Sequence, residues 1–203
     1  MTRRTLHANE LDAGGRALRR ERSSLVRLHL TRGLLAVLWA VAFRKAHQQL
    51  DATAIALLVA YPLIDAVSSL IDYRTTAAPA DRRVTGFNGL LSTAAAIALG
   101  LAALSGVTPV LVVFGAWAAA SGAAQLLLGL ERRSTGLGSQ WPMLIAGGLS
   151  FLVGFVYVVQ ATGAKPTLDM LPVYATGGGV FFIVQACLLG WRARRPQRAW
   201  PAR

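Results

Sequence analysis

Tyr61, Asp65, Ser68, Ser69 and Asp72 recur at three- and four-residue intervals inside an otherwise apolar stretch. On a helix that spacing puts them on one face. Asp72 stands beside Arg74 at the polar end of the stretch, and Asp65 lies about two turns deeper. A carboxylate in hydrocarbon is costly, so Asp65 must face other helices and either pair or stay protonated. The chemistry open to it is proton transfer, ion contact or a hydrogen bond that bridges helices. A second polar set, Trp117, Ser121 and Gln125, follows a four-residue spacing with Gly115 and Gly122 alongside. Asp65 lies 32 residues after Gly33, and Ser121 lies 32 after Gly89. The two therefore sit at equivalent depth, and a protonated Asp65 would donate to Ser121 or Gln125 across the bundle. Asp65, Tyr61, Ser68, Ser121 and Gln125 are the candidate proton, ion or helix-bridging residues.

No catalytic residues stand out. The histidines, His7, His29 and His47, neighbour no cysteine and no paired acids in sequence. No zinc-protease motif, nucleophile elbow or dinucleotide fingerprint occurs. Gly177-Gly178-Gly179 lacks the Lys-Ser/Thr of a phosphate loop and sits in an apolar run. The single cysteine, Cys187, excludes an intrachain disulfide and a cysteine-based metal motif, and reads as a small packing residue. The expectation is a non-enzymatic protein with no metal and no cofactor.

These residues need elements to position them, and the chain supplies six apolar stretches of about 20 residues, each enough to cross a bilayer as a helix. They arrive as three similar pairs. The first opens at Gly33-Leu34-Leu35 and ends at Asp72-Tyr73-Arg74; the second runs from Gly89-Leu90-Leu91 to Glu131-Arg132-Arg133; the third runs from Gly147-Gly148-Leu149 to Trp191-Arg192-Ala193-Arg194. The fold class is an all-α membrane protein, six transmembrane helices as three repeated helical hairpins, at about 25–72, 86–130 and 141–191. Residues 1–24 form a basic arm, helical from Glu10 to Ser24, and 192–203 a basic tail. Pro62 predicts a kink near Asp65. Gly147, Ser150 and Gly154 in the fifth span, and Thr176, the three glycines and Gln185 in the sixth, predict close helix packing with amide bonds across helices.

The 203 residues are 54% hydrophobic and 15% charged, with mean hydropathy +0.48. A net charge of +12 raises nucleic acid as a partner, but the charges sit at span ends and form no folded basic face. Eighteen of the 21 Lys and Arg fall on one side of the six spans, against Arg44, Lys45 and Lys165 on the other. The positive-inside rule then puts both termini in the cytoplasm. Arg27, His29 and Arg32, in the first turns of span one, are expected to snorkel to headgroups. Arg16, Arg19, Arg20 and Arg22 are expected to lie on anionic lipid headgroups. Ala40-Val41-Ala42 has the form of a signal-peptide cleavage site, but cutting there would destroy the first hairpin. The bilayer is the expected partner, and a homo-oligomer is left open.

The pattern resembles the HdeD-like acid-resistance membrane proteins, a family of short internal repeats. The resemblance is carried by Arg32-Gly33-Leu34-Leu35, Tyr61-Pro62-Leu63-Ile64-Asp65-Ala66-Val67, Phe114-Gly115-Ala116-Trp117 with Ser121-Gly122 and Gln125, and Trp141-Pro142 with Gly147-Gly148. It covers about 25–194, and Ala66 stands where relatives often have glycine. It implies six spans in a bacterial inner membrane and a link to acid or envelope stress, without implying a substrate. Three functions follow as expectations: a non-enzymatic bundle supporting stress tolerance, a small proton-linked transporter or permease using Asp65, and an assembly partner bound through its basic arms. A transporter should show a second buried charge or paired broken helices beside Asp65.

Overall fold

The computed structural model describes the backbone of residues 3–75, 79–134 and 141–194, and side chains over 23–74, 82–134 and 141–191. Among the described residues it holds six helices: α1 Arg3–Ala46, α2 Ala52–Thr75, α3 Pro79–Ala103, α4 Val107–Ser134, α5 Trp141–Ala161 and α6 Met170–Arg194. Each contains a segment long and apolar enough to cross a membrane, and no strand occurs among the described residues. The protein is an all-α, multi-pass membrane protein.

The ends of the helices follow from local chemistry. Asp51 caps α2, its Oδ1 accepting from the Ala54 amide at 2.8 Å. Gly106 closes the turn between α3 and α4 with φ +108°, a conformation that side-chain-bearing residues rarely adopt. Pro79, Pro109, Pro142 and Pro172 all lie in first turns, where the missing amide costs nothing. Pro62 is the exception, buried inside α2. A proline there frees a carbonyl one turn back, and Trp39 of α1 donates to the neighbouring Leu57 carbonyl at 2.5 Å.

The helices form a ring in chain order. Among the described residues each packs on the next and α6 returns to α1; no two backbones come close across the centre, where aromatic side chains meet instead, Tyr61 with Phe114 and Trp117, and Phe114 with Tyr174. The extensive interfaces are α4 with α5, α1 with α6 and α2 with α3; α1 with α2 is slighter, and α5 with α6 the slightest. The close-packed pairs thus run between the expected hairpins rather than within them. In the α4–α5 and α1–α6 pairs small residues lie on the faces that meet. In α4 and α5, a Cβ added to Gly115 would fall 2.6 Å from the Gly154 carbonyl oxygen, and one added to Gly122 2.6 Å from that of Gly147. In α1 and α6, one added to Gly33 would fall 2.7 Å from the carbonyl oxygen of Gly179. These are backbone-to-backbone approaches that only glycine permits.

The basic arm is not set off from the first span. It is the opening of α1, one 44-residue helix about 66 Å long at 1.5 Å per residue, roughly twice the hydrocarbon thickness. Arg16, Arg19, Arg20 and Arg22 lie on this helix, and their side chains fall outside the described residues.

Inside the ring, Trp39, Phe43, Phe114, Trp117 and Tyr157 form a buried aromatic core with Leu58, Leu99, Leu111 and Leu171. Tyr61 lies tilted against Trp39 with centroids 4.4 Å apart. Outside, large apolar side chains such as Leu38, Leu90, Leu101, Leu127 and Phe155 are exposed on every flank. A soluble protein would not carry so much exposed apolar surface, but lipid covers it. Cys187, expected as a packing residue, is on this exposed surface of α6. At the helix ends, Arg82 lies over Tyr73 and Arg133 over Trp141, placing aromatic rings with basic groups where interfacial anchors belong.

Candidate functional site

Asp65 is the hub of a polar network that ties together four helices. Its Oδ1 accepts from Arg32 Nη2 of α1 at 2.5 Å. Its Oδ2 accepts from Asn88 Nδ2 at 2.6 Å and from Ser92 Oγ at 2.7 Å, both on α3. Ser92 Oγ in turn accepts from Trp117 Nε1 of α4 at 3.0 Å, and Asn88 Nδ2 also donates to Ser69 Oγ. Arg32 Nη1 reaches the second carboxylate, donating to Asp72 Oδ2 at 3.2 Å, and the guanidinium lies 5.0 Å over the Phe182 ring of α6. The Arg32 and Asp65 side chains are only 15% and 24% exposed. At that burial, charge-assisted bonds are strong and an unpaired charge would be expensive.

Two expectations are corrected here. Arg32 does not snorkel outward: it turns into the ring and pairs with two aspartates, because their attraction outweighs the pull of the headgroup layer. Asp65 does not bond to Ser121 or Gln125. Its oxygens are taken by α1 and α3, the helices flanking α2, whereas α4 is not a direct neighbour of α2 in the ring. Ser68 is buried beside the network but donates to its own helix, to the Ile64 carbonyl at 2.7 Å.

Ser121 and Gln125 nevertheless belong to the same site, because they line a cavity that Asp65 also lines. Its volume is about 380 Å³. Arg32, Asp65 and Tyr61 stand on one side, Trp117, Ser121 and Gln125 on α4, and Leu149, Ser150, Tyr174 and Phe181 on α5 and α6. The wall is otherwise apolar and aromatic. Ser121 is 7% exposed, and its Oγ is buried without a hydrogen-bond partner. The cavity lies behind the thinnest seam of the ring, between α5 and α6. That seam is crossed by Ser150 Oγ and Tyr174 OH at 2.8 Å, and farther along by Tyr157 OH donating to the Met170 carbonyl at 2.8 Å. Leu149 and Val173, on the two sides of the seam, line the cavity and are both exposed.

At the opposite end of α1 lies a separate pair. His47 Nε2 meets Asp169 Oδ1 at 2.7 Å, joining the end of α1 to the residue preceding α6. The bond from His47, with a second from Thr167, holds the Asp169 carboxyl below its ordinary value of 3.8.

Five participants escaped the sequence reading: Arg32 as an ion-pair partner, Asn88, Ser92, His47 and Asp169. Asn88 and Ser92 had a signal, polar residues at i and i+4 within an apolar span. His47 and Asp169 are 122 residues apart, and nothing local connects them. Among the described residues no cluster of His, Cys, Asp and Glu suits a metal ion. No family model, curated protein or solved structure matches the chain.

Proposed function

We propose that this protein is a small proton-linked permease of the bacterial inner membrane. The observation that carries this reading is the Arg32–Asp65 ion pair on the wall of a cavity of about 380 Å³ within a ring of membrane helices. A second buried charge beside Asp65 is what a transporter requires and what the apolar sequence alone did not reveal. The groups facing Asp65 with charge or a titratable proton are Arg32 of α1, Asp72 and Tyr61 of α2, and Tyr174 of α6. Arg32 holds each aspartate through a different nitrogen. A proton arriving on Asp65 releases one of those bonds and leaves Arg32 on Asp72, which lies nearer the helix end. Proton arrival thereby loosens α1 from the middle of α2 and changes the cavity wall.

The charge asymmetry, with Arg32 now removed from the count, still supports both termini in the cytoplasm, with the start of α1 against anionic headgroups. The HdeD-like resemblance adds acid or envelope stress as the setting for this reading.

A second reading has its own support. The Arg32–Asp65–Ser92–Trp117 chain joins α1 to α4 without a gap, which is what a purely structural tie in a non-enzymatic stress-tolerance bundle would look like. Charge-displacement currents on a supported membrane separate the two. A pH jump should drive a transient current through reconstituted wild-type protein and none through Asp65→Asn of equal thermal stability. A current that survives in Asp65→Asn leaves the network with only its structural role.

A further inference from the structure

We propose that the cavity takes an uncharged aromatic molecule bearing one hydrogen-bonding group, a hydroxyl or a carbonyl, drawn from the bilayer through the seam between α5 and α6. This rests on the permease reading and adds its substrate class.

The charge of the wall favours a neutral occupant. Among the described residues the charged groups lining the cavity are Arg32 and Asp65, one of each sign, and they are paired with each other. The Asp65 carboxylate is further occupied by Asn88 and Ser92 of α3. An ion entering the cavity would give up its water and meet no free counter-charge, which is costly. A zwitterion would have to part the pair before its charges were answered. An uncharged molecule leaves the pair intact.

The rest of the wall says what that molecule carries. Ser121 is 7% exposed, and its hydroxyl lines the cavity without a hydrogen-bond partner. Buried hydroxyls in folded proteins are ordinarily bonded, so this one calls for a partner that the chain does not supply. A serine hydroxyl both donates and accepts, which suits a ligand hydroxyl or carbonyl alike. Around it the rings of Tyr61, Trp117, Tyr174, Phe181 and Phe182 line the cavity, and such rings pack offset or edge-to-face against a flat aromatic guest. The volume of about 380 Å³ is near the small end of ligand pockets, which run from about 300 to 1,000 Å³.

The route follows from the packing. The contact between α5 and α6 is the slightest in the ring. Leu149 and Ser150 of α5 and Val173 and Gly177 of α6 form the cavity wall at this seam. A Cβ added to Gly177 would meet nothing within 4 Å, so α6 stands clear of α5 at this level. Apart from Ser150 these residues are apolar, and a molecule dissolved in lipid passes them without exchanging its surroundings for polar ones.

The test uses four probes built on one ring system: 1-naphthol, naphthalene, the anion naphthalene-1-sulfonate and the cation 1-naphthylmethylammonium. Binding is measured by equilibrium dialysis on the full-length protein in lipid nanodiscs at neutral pH, with empty nanodiscs subtracted. Wild type should bind naphthol saturably, about three- to tenfold tighter than naphthalene, the worth of one neutral hydrogen bond. Neither ion should compete. Ser121→Ala should bring naphthol down to the affinity of naphthalene. Gly177→Leu lies outside the polar network and has space for its side chain. It should weaken naphthol by about tenfold or more at unchanged thermal stability, which keeps the test valid if Ser121→Ala folds poorly. Competition by either ion, naphthol no tighter than naphthalene, full naphthol binding by either variant, or no saturable naphthol binding overturns the proposal. A pH-jump current in wild type then means that only the substrate class is wrong, and an absent current removes the permease reading as well.

Discussion

Arg32 grips Asp65 with one terminal nitrogen and Asp72 with the other, so α1 is fastened to α2 at two points about two turns apart. The α1–α2 interface is otherwise slight, so this ion pair is a principal link between the two helices.

Breaking that link on one side leaves the remaining charge buried. Arg32→Leu or Asp65→Leu alone should lower stability by about 3 kcal/mol, the low end for a buried pair because both side chains retain some exposure. The double variant Arg32→Leu/Asp65→Leu should lose clearly less than the sum of the two. Unfolding in mixed micelles followed by circular dichroism measures all three, and strict additivity would show that the pair contributes nothing as a pair.

The two serines near Asp65 should behave differently. Ser92 both donates to Asp65 and accepts from Trp117, so Ser92→Ala should cost about 1–2 kcal/mol. Ser121 bonds to nothing, so Ser121→Ala should stay within about 0.5 kcal/mol of wild type. The same melts decide it, and a larger effect at Ser121 would reverse the assignment.

Glycine substitutions should sort by interface. Gly122→Ala places a methyl 2.6 Å from the Gly147 carbonyl oxygen, a backbone atom that cannot rotate aside. It should cost about 1–3 kcal/mol through forced separation of α4 and α5. Gly190→Ala meets nothing within 4 Å and should be neutral or slightly stabilising through its better helix propensity. Comparable losses at both positions would deny that the α4–α5 approach is tight.

The His47–Asp169 pair predicts a pH dependence with a definite sign. The folded carboxyl lies below its unfolded value of 3.8, so folding holds it deprotonated more strongly than the open chain does. Its stabilisation is fully present above 3.8 and is lost as pH falls below that through the folded value. Relative to wild type, Asp169→Asn should therefore lose stability near neutral pH and converge with it in strong acid. Thermal melts across the acid range check the convergence.

Topology gives a final outcome. Reporter fusions after Arg74 and after Arg133 should report cytoplasm, and one at Lys165 the outside. A periplasmic signal at Arg74 would contradict the proposed orientation.

Composition and hydropathy alone determined the membrane class and the six helices, because a bilayer-length apolar run has no other stable backbone than a helix. They also placed Asp65 as the residue to watch, since a carboxylate at that depth must be answered by something. The glycines of α4, α5 and α6 announced close packing. What the sequence could not carry was which helix answers which. Hydrophobic periodicity marks a face but not its partner, and Arg32 reads the same whether it reaches to headgroups or turns inward. The pairing of α1 with α6, the move of Asp65 from Ser121 to Arg32, Asn88 and Ser92, and the meeting of His47 with Asp169 were decided by the closing of the ring. That closure depends on contacts between residues more than a hundred positions apart, such as Gly33 and Gly179, where backbone approach rather than local propensity chooses the neighbour.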